Sequence, residues 1–391
     1  MESTMDLKLE TDLIFQAKQN VKARTTSLKG QIVRADTDRY LSPERLDLER
    51  SEIFKNLPSV ILHSSELLEP ESFEVVDSFI GSLIVTRDKA SKVHVMYNSC
   101  RHRGAKLAEG KGCAKQFVCP YHAWSYALNG DLRAVPGERD CFPGLDKSDN
   151  ALLKVPAIEK YGFIWICPDA NVPEEAEAHL DSHLGQMAGH LDWLQNDELR
   201  VFKSHTKNWS GNWKLFAEGG LETYHFAYAH KGTIAPYFFN NIAVIDQVEK
   251  HFRVVMPTKE LLKTKDDPVD GLSLHDYSHT LFFLLPNTAL LVQKEHVDWI
   301  SFKPLNCGET EITVKTLIPY NADLQDPPQL AHWQKNHQIT IETLDEDWEL
   351  GASIQASLSS GALPHIQYGK NEWALVELNK ILDHLIISSQ A

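Results

Sequence analysis

The sequence predicts an α+β protein, with a small all-β domain followed by a larger domain that combines an antiparallel sheet with a long C-terminal helix. Three observations predict this fold class. Short runs rich in β-branched and aromatic residues alternate with polar turns between residues 72 and 167. A second series of strand-like runs covers residues 251–319. Two helix-favouring segments follow at residues 329–358 and 372–387, and strands followed by helices are typical of α+β domains.

The elements group into three segments, which we place at residues 1–50, 51–170 and 171–391. The first is a polar helical segment, expected to pack on the larger domain, with a helix beginning after Ser42 because Ser caps helices and Pro43 suits the first position. In the second, Asn129-Gly130 predicts a hairpin turn. An acidic, helix-favouring stretch at residues 172–196 opens the third.

The composition is that of an ordinary globular chain. The 391 residues are 42% hydrophobic and 24% charged, and the net charge is −15. This acidic balance argues against nucleic acid or an anionic membrane surface as a partner. The most apolar stretch, residues 281–292, contains Pro286 and is too short to span a bilayer. The polar N-terminus has no signal-peptide pattern, so we expect a cytoplasmic protein.

The small domain carries a metal-site pattern. Cys100-Arg101-His102 and Cys119-Pro120-Tyr121-His122 are two Cys/His pairs that lie close together in the chain. Two thiolates and two imidazoles hold a Rieske [2Fe–2S] centre, with the thiolates on one iron and the imidazoles on the other. A structural zinc also accepts two Cys and two His, but its ligands usually pair by type. The mixed pairs favour the cluster. The other four cysteines have irregular spacings that predict no disulfide framework.

A second group of candidate ligands lies between residues 212 and 230. On a continuous helix Glu218, Glu222 and His225 would share one stripe. His230 would then face about 140° away from His225, so both can bind one metal only if the helix bulges or ends between them. Two imidazoles and one carboxylate form the facial triad of non-haem Fe(II) oxygenases.

The carboxylate of such a triad is available in the acidic run at residues 345–349. If this run is helical, Asp347 lies on an apolar face, Glu346 at its border, and Asp345 and Glu349 on the opposite face. The apolar face would consist of Leu344, Leu350, Ile354 and Leu358. A carboxylate on an apolar face is costly to bury without a partner, and a metal ion supplies one.

Together these motifs resemble the α (terminal oxygenase) subunits of Rieske non-haem iron oxygenases, the aromatic-ring-hydroxylating oxygenase family. The family pattern C-x-H-R-G followed by C-P-Y-H-G/A-W matches residues 100–104 and 119–124. Asn-Trp-Lys followed by Glu-x-x-x-Glu-x-x-His-x-x-x-x-His matches residues 212–230. The resemblance covers about residues 45–360.

The resemblance implies a Rieske domain and a START-like helix-grip catalytic domain. It implies two groups of metal ligands: Cys100, His102, Cys119 and His122 for the cluster, and His225, His230 and Asp347 for a mononuclear Fe(II). Glu222 would be the catalytic acid that links an iron-ligand histidine to His122 of a neighbouring subunit. Electrons would then cross between subunits, which implies a ring, expected to be a homotrimer.

Three positions depart from the usual family pattern, one of them Gly219, which stands where the family frequently has Asn. Ala123 stands where glycine is frequent, and Glu222 stands where most members have Asp. In having a glutamate at the latter position, the chain resembles the subgroup that acts on quaternary ammonium compounds such as carnitine, which also uses Glu there. No Arg or Lys that would hold a substrate carboxylate can be identified from the sequence.

The resemblance implies a terminal oxygenase that hydroxylates or oxidatively demethylates a small organic substrate, such as a quaternary ammonium compound or methylated amine. The alternatives are a cis-dihydroxylating ring dioxygenase and a Rieske electron carrier without catalytic iron. No Gly-x-Gly-x-x-Gly fingerprint is present, so a separate flavin-containing NAD(P)H reductase is expected, with or without a ferredoxin. Aromatic side chains near the second motif are expected to line the substrate pocket: Phe226, Tyr228, Tyr237, Phe238, Phe239 and Phe283.

Overall fold

The computed structural model describes residues 7–265 and 267–389, which divide into two compact units. The small unit is Phe54–His183. The large unit combines the residues up to Ile53 with those from Leu184 onward. The sequence-based boundaries lay at residues 50/51 and 170/171. The α+β class is confirmed, with antiparallel sheets in both units and long helices at the end of the chain.

The chain begins with helix α1 (Leu7–Ala23), strand β1 (Val33–Asp36), helix α2 (Asp38–Leu41), helix α3 (Pro43–Leu48) and a π-helix at Glu49–Phe54. The predicted start of α3 is confirmed, because the Ser42 hydroxyl accepts a hydrogen bond from the Arg45 N–H at 3.0 Å. Pro43 occupies the first turn, where its missing N–H costs nothing.

The small unit is built from ten short strands, one short helix and the start of another. The strands are β2 (Ser59–His63), β3 (Ser72–Ser78), β4 (Gly81–Arg87), β5 (Val93–Tyr97), β6 (Lys111–Cys113), β7 (Phe117–Val118), β8 (Ser125–Tyr126), β9 (Leu132–Ala134), β10 (Ala157–Lys160) and β11 (Phe163–Ile166). The helices are α4 (Glu138–Cys141) and α5 (Ala176–Leu184). Three antiparallel sheets result, in the orders β5-β4-β3-β6, β7-β8-β9 and β10-β11-β2.

The predicted Asn-Gly hairpin holds β8 and β9 together. Gly130 has a φ of +88°, the left-handed conformation that glycine adopts at little cost. Tyr126 therefore pairs with Leu132, and both side chains are buried in one core cluster with Cys100 and Cys119. This cluster packs the hairpin beneath the two Cys/His loops, which gives the loops a rigid base.

The large unit continues with a seven-stranded antiparallel sheet and six helices. The strands are β12 (Leu199–Trp209), β13 (Val244–Val248), β14 (His251–Pro257), β15 (Ser278–Leu284), β16 (Thr288–Val292), β17 (Val297–Asn306) and β18 (Glu309–Pro319), with β19 (His365–Tyr368) pairing separately with β1. The helices are α6 (Met187–Trp193), α7 (Trp213–Gly219), α8 (Phe226–Ala229), α9 (Leu274–Tyr277), α10 (Pro327–Ser359) and α11 (Trp373–Ser389). The sheet order is β12-β18-β17-β16-β15-β14-β13.

The helix α10 carries the acidic run and packs against α7 and β12. The predicted apolar face of this helix is partly wrong, because Leu350 and Ile354 are 49% and 43% exposed. Leu358 is buried as expected, but the larger buried side chains are Trp333 and Trp348. Among the described residues, no helix has the length and hydropathy needed to cross a membrane. All six cysteines are described and none forms a disulfide.

Candidate metal centres

The two Cys/His loops of the small unit form the same turn. In each loop the cysteine carbonyl accepts a hydrogen bond from the N–H four residues later, Gly104 to Cys100 at 2.8 Å and Ala123 to Cys119 at 2.9 Å. Each cysteine N–H donates to the carbonyl five residues later, to Ala105 at 2.9 Å and to Trp124 at 2.8 Å. In both turns the fourth residue after the cysteine has a left-handed backbone conformation, with φ of +77° at Gly104 and +56° at Ala123.

The paired turns bring the four predicted cluster ligands together. Cys100 and Cys119 are each 3% exposed, and the Nδ1 atoms of His102 and His122 lie 3.1 Å apart. The ring of Trp124 stacks on His102 with a centroid distance of 5.0 Å. Burial, His122 and Arg103 lower the pKa of His102, which keeps the imidazole in the neutral form that binds a metal. Two buried sulfurs beside two imidazoles fit a Rieske cluster.

Tyr126 is a feature of this centre that the sequence pattern did not indicate. Its hydroxyl lies 3.3 Å from Cys100 Sγ and accepts a hydrogen bond from the Arg101 N–H at 3.1 Å. The hydroxyl proton is therefore free to point at the sulfur. Hydrogen bonds to cluster sulfurs raise the reduction potential, so Tyr126 is placed to tune the cluster.

In the large unit, residues 218–225 do not form the continuous helix on which a common stripe of Glu218, Glu222 and His225 would depend. Helix α7 ends at Gly219, a turn carries Glu222, and His225 and His230 lie at the two ends of the short helix α8. Two consecutive glycines, Gly219 and Gly220, disfavour continuation of α7. The break removes the predicted common stripe, and Glu218 instead points to a buried group of Tyr40, Tyr368 and Asn379.

The break also resolves the five-residue spacing of the two histidines. His225, His230 and Asp347 present one ligand atom each, all within 4.8 Å of one another. Asp347 Oδ1 lies 3.3 Å from His225 Nε2 and 2.9 Å from His230 Nε2. Helix α10 delivers the carboxylate and the two ends of α8 deliver the imidazoles, so the triad forms between two helices that are distant in the sequence.

A second carboxylate lies behind each imidazole. Glu222 contacts Nδ1 of His225, and Glu346 lies 2.8 Å from Nδ1 of His230 while accepting from the Thr233 hydroxyl at 2.6 Å. Carboxylates on Nδ1 fix the tautomer and orient Nε2, a common arrangement in metal sites. The sequence analysis placed Glu346 only at the border of a helix face and gave it no role. Its position directly before Asp347 was the available signal.

The electrostatics of the triad fit a cation. Burial lowers the pKa of His225, but Asp347 and Glu222 outweigh burial and raise it to about 10. Burial raises the pKa of Asp347, but the two histidines outweigh it and keep the carboxyl ionised. Nε2 of His230 is buried and is not aligned for a hydrogen bond with any described residue. Two imidazoles aimed at one carboxylate are the donor set of mononuclear Fe(II) sites.

A cavity of about 100 Å³ opens onto the triad. Its apolar walls include Phe226, Phe238, Met256, Leu281 and Leu291. Phe226 and Phe238 were predicted to line the pocket, and Phe283 lines a smaller adjoining cavity of about 40 Å³.

The other predicted pocket aromatics lie elsewhere. Tyr228 and Tyr237 are 69% and 66% exposed and do not line the cavity. Tyr228 is two residues from Phe226 on α8, about 200° around the helix, so the two side chains face opposite ways. Tyr237 lies in a turn, where its N–H donates to the Ile234 carbonyl at 2.9 Å, and its side chain is exposed whereas that of Phe238 is buried. Phe239 lines a separate surface groove beside α1.

Family models match both units of the chain. The model described as "Ring hydroxylating alpha subunit (catalytic domain)" matches residues 196–387, and the "Rieske [2Fe-2S] domain" model matches residues 58–156.

Three curated relatives illustrate the range of similar proteins. The anthranilate 1,2-dioxygenase large subunit of Acinetobacter baylyi is 32% identical over 51% of this chain and 43% of the relative. The carnitine monooxygenase oxygenase subunit of Acinetobacter baumannii is 30% identical over 49% and 51%. The chloroplastic choline monooxygenase of Amaranthus tricolor is 28% identical over 83% and 71%. The chain thus spans about half the length of the first two.

Solved structures show the same fold. A quaternary ammonium Rieske monooxygenase in complex with L-carnitine superposes with a TM-score of 0.70 at 20% identity, covering 97% of this chain and 98% of that one. Naphthalene 1,2-dioxygenase from Rhodococcus sp. bound to indole superposes with a TM-score of 0.74 at 17% identity, covering 97% and 99%. At such identities the likeness establishes the fold alone.

Proposed function

The chain belongs to the ring-hydroxylating α subunits with a Rieske domain, and from this membership we propose that it is the terminal oxygenase component of a multi-component system. The observation that carries the proposal is the convergence of His225, His230 and Asp347, with a carboxylate on the far side of each imidazole. The carboxylates on Nδ1 direct both Nε2 atoms toward Asp347, and two imidazoles with one carboxylate are the donor set of mononuclear Fe(II) sites.

We assign the cluster to Cys100, His102, Cys119 and His122, and the mononuclear iron to His225, His230 and Asp347. When bound, the two groups supply stored electrons and O₂ activation beside the substrate. The chain's own residues hold and shape this site. Glu222 and Glu346 orient the two imidazoles, and the apolar cavity walls keep water from the site.

We propose that Glu222 also connects the iron site to a cluster in another copy of the chain. Its carboxylate contacts His225 and lines the cavity. A hydrogen bond from the same carboxylate to His122 of the partner subunit would connect the two metal centres. The assembly would be a homotrimeric ring, with each cluster serving the iron of the next copy. Electrons would come from a flavin-containing NAD(P)H reductase, with or without a ferredoxin.

The reaction we propose is hydroxylation or oxidative demethylation of a small quaternary ammonium compound or methylated amine. Support comes from Glu222, the longer acid of the subgroup acting on such compounds. The carnitine and choline monooxygenases among the relatives also support it. A cavity of about 100 Å³ suits a small substrate.

The second candidate is cis-dihydroxylation of an aromatic ring. The predominantly apolar cavity with Phe226 and Phe238 in its wall favours this reaction, and anthranilate 1,2-dioxygenase is among the relatives. Aromatic side chains pack edge-to-face with an aromatic substrate at little cost.

A single turnover tests the proposal. The chemically reduced, iron-loaded protein is given O₂ with a pool of methylated amines or a pool of simple aromatics, and formaldehyde and product masses are recorded. Formaldehyde from the amines supports demethylation, and products with two added oxygens support ring dioxygenation.

The control is Asp347→Ala, which should keep acid-labile sulfide, lose the mononuclear iron and give no product. If the cluster is oxidised in both the native protein and Asp347→Ala, and neither protein gives a product from either pool, the result would favour the alternative of an electron carrier.

A further inference from the structure

The cavity ends in a polar wall on the side away from the metal ligands. Helix α10 contributes a stripe of cavity residues at one face, Ile339, Thr340, Thr343, Leu344 and Asp347. Thr340 lies two turns before Asp347, about 10 Å along the helix axis. Gln293, in the turn after β16, and His279, on β15, complete this wall. The metal ligands and the polar wall therefore lie at opposite ends of one small cavity.

A buried carboxylate stands behind the wall. Asp298 is 0% exposed and accepts hydrogen bonds from Thr316 at 2.5 Å, Thr340 at 2.9 Å and Gln293 at 2.7 Å. Within the described residues it forms no ion pair with Lys or Arg. Burial raises the pKa of Asp298, but His296 and the hydroxyl donors outweigh burial and lower it. Asp298 Oδ2 also lies 3.3 Å from Nε2 of His296, so the wall is backed by a buried carboxylate that contacts an imidazole and, in the residues described, no Lys or Arg.

The hydrogen bonds to Asp298 decide what the wall can offer a ligand. Nε2 of Gln293 donates to Asp298 and also to the Thr340 hydroxyl at 3.1 Å. The Thr340 hydroxyl proton itself goes to Asp298. Both amide protons of Gln293 are therefore committed, and its carbonyl oxygen is what remains for a ligand. That oxygen accepts hydrogen bonds and cannot donate them.

Two further groups of the wall are free to bind a polar ligand atom. The Thr343 hydroxyl is buried and has no partner in the described parts of the chain. The ring of His279 forms no hydrogen bond there either, and burial and His296 lower its pKa to about 4. The imidazole is neutral near pH 7 and brings no positive charge.

Away from the metal ligands, the described lining of the cavity offers no permanently cationic side chain. Among the described side chains that line the cavity, none is Lys or Arg, and Asp298 lies behind the wall. A carboxylate placed against this wall, about 10 Å along α10 from Asp347, would lose its water without gaining a Lys or Arg partner, and an unpaired buried charge is strongly disfavoured.

We infer that the substrate carries no carboxylate and is a neutral or cationic molecule whose apolar body is oriented by a hydrogen-bond donor on the carbonyl oxygen of Gln293. This inference rests on the proposed function and names the substrate class for the same site. It separates this chain from relatives named for carboxylate substrates, such as anthranilate and carnitine.

Three matched compounds test the inference: 4-(dimethylamino)benzyl alcohol, 4-(dimethylamino)benzoate and N,N-dimethyl-p-toluidine. They share the ring and the methylated amine, and differ in carrying a hydroxyl donor, a carboxylate or neither. Calorimetric titration of the iron-loaded protein without O₂ measures their binding. We expect the alcohol to bind at least about tenfold more tightly than the benzoate. We expect the alcohol to bind at least about threefold more tightly than the toluidine. Benzoate binding as tight as that of the alcohol, or no difference among the three, overturns the inference.

Variants locate the effect on the wall. Gln293→Leu should abolish the preference for the alcohol over the toluidine, because the acceptor is lost. Gln338→Leu, the same change at an exposed position of α10, should leave the preference intact. Retained iron and acid-labile sulfide show that each variant is folded. A preference that survives in Gln293→Leu contradicts the assignment of Gln293.

Single turnover of the bound compounds distinguishes this inference from the proposed function. Tight, selective binding of the alcohol without formaldehyde or another oxidised product keeps the inference and rejects the oxygenase. Demethylation of the benzoate at least as well as of the alcohol keeps the oxygenase and rejects the inference.

Discussion

At the scale of single residues, Ala123 holds a left-handed backbone that glycine adopts more easily. Its φ of +56° closes the second cluster loop, and this conformation costs an L-residue about 1–2 kcal/mol. Glycine loses more entropy on folding, by roughly 0.5–1 kcal/mol. We therefore expect Ala123→Gly to stabilise the small unit by up to about 1 kcal/mol. The unfolding midpoint, followed by the visible absorbance of the cluster, measures this.

The matched control is the equivalent position of the first loop. A Cβ on Gly104 would meet only the Ser99 hydroxyl at 3.7 Å, an ordinary contact. Gly104→Ala, the reverse change, should therefore cost up to about 1 kcal/mol through its backbone alone. If both substitutions shift the midpoint in the same direction, the shared turn geometry does not control stability here.

We expect Glu346 to act as a positioning residue for His230, which we propose as an iron ligand. Its carboxylate accepts the Nδ1 proton at 2.8 Å, which makes Nε2 more basic. Glu346→Gln keeps the shape but removes the charge, so we expect Fe(II) affinity to fall about 10–100-fold while acid-labile sulfide is unchanged. Titration of Fe(II) into the protein with an intact cluster measures the affinity.

Glu349→Gln provides the comparison, because it makes the same change on the same helix at an exposed position. It should leave Fe(II) affinity within about twofold. An equal loss in both variants would show that general charge on α10, rather than the contact with His230, controls the affinity.

At the scale of elements, Glu218 joins four segments of the large unit. The carboxyl on α7 contacts Tyr40 on α2 at 2.8 Å, Tyr368 on β19 at 3.2 Å and Asn379 on α11 at 2.8 Å. The two tyrosine hydroxyls also lie 2.5 Å apart. Three contacts among these oxygens need three protons, and two hydroxyls supply two. The third comes from a protonated Glu218.

This proton makes the stability of the large unit depend on pH. Burial raises the pKa of Glu218 to about 7, although Asn379, Tyr40, Lys214 and Tyr368 lower it. Because the folded pKa exceeds that of the unfolded chain, the contribution of Glu218 to stability is fully present below pH 4.5 and is lost as the pH rises through 7. The loss is on the order of 3 kcal/mol. In Glu218→Gln this loss should be absent, so the variant gains relative to the native protein between pH 5 and 8.

Denaturant unfolding at several pH values measures the difference. Glu342→Gln, at an exposed position of α10, should follow the native pH dependence. A parallel dependence in the native protein and Glu218→Gln would mean that Glu218 is ionised throughout.

The elements that the sequence predicted are those with a strong hydrophobic period. The strands from β14 to β18 and the helices α10 and α11 were predicted to within a few residues. The strand β12 was missed because its residues Phe202 to Asn208 are mostly polar, as suits an edge strand paired only with β18. The helical stripe considered for Glu218, Glu222 and His225 does not form, because helical spacing in a sequence does not show where tertiary contacts end a helix.

The residues of the site also divide into those that a local sequence pattern indicated and those that it did not. Cys/His spacing and the His-x-x-x-x-His motif indicated the ligands, because local loops present them. Glu346, Tyr126 and Asp298 were not recognised, since their roles depend on contacts between distant elements. Tyr228 and Tyr237 were misplaced because composition does not tell which way a side chain faces, either in the four-residue helix that carries Tyr228 or in the turn that carries Tyr237.

At the scale of the whole molecule, the proposed ring makes a prediction for mixed assemblies. Cys119→Ser lacks a cluster and Asp347→Ala lacks iron, so each alone should be inactive. If each cluster serves the iron of the next copy, every mixed trimer has one junction with both groups intact. The two variant chains can be tagged differently, co-expressed and purified as mixed trimers. Each mixed trimer should have about one third of the activity of a native trimer.

The position of Glu222 gives the control for this experiment. Glu222→Gln added to the Cys119→Ser chain, which holds the working iron, should abolish the recovered activity. The same change added to the Asp347→Ala chain should have no effect. Inactive mixed assemblies would place electron transfer within one chain and reject the Glu222 link.

The ladder between β1 and β19 ties an early segment of the chain to a late one, with Val33 paired to Tyr368. On the ribosome, the small unit is contiguous and can fold once residue 183 has emerged. The large unit must wait for β19, which at roughly 5–20 residues per second means tens of seconds of further synthesis. Cluster assembly on the nascent chain can therefore precede completion of the iron site, and a truncated chain that lacks β19 would still present a finished cluster domain.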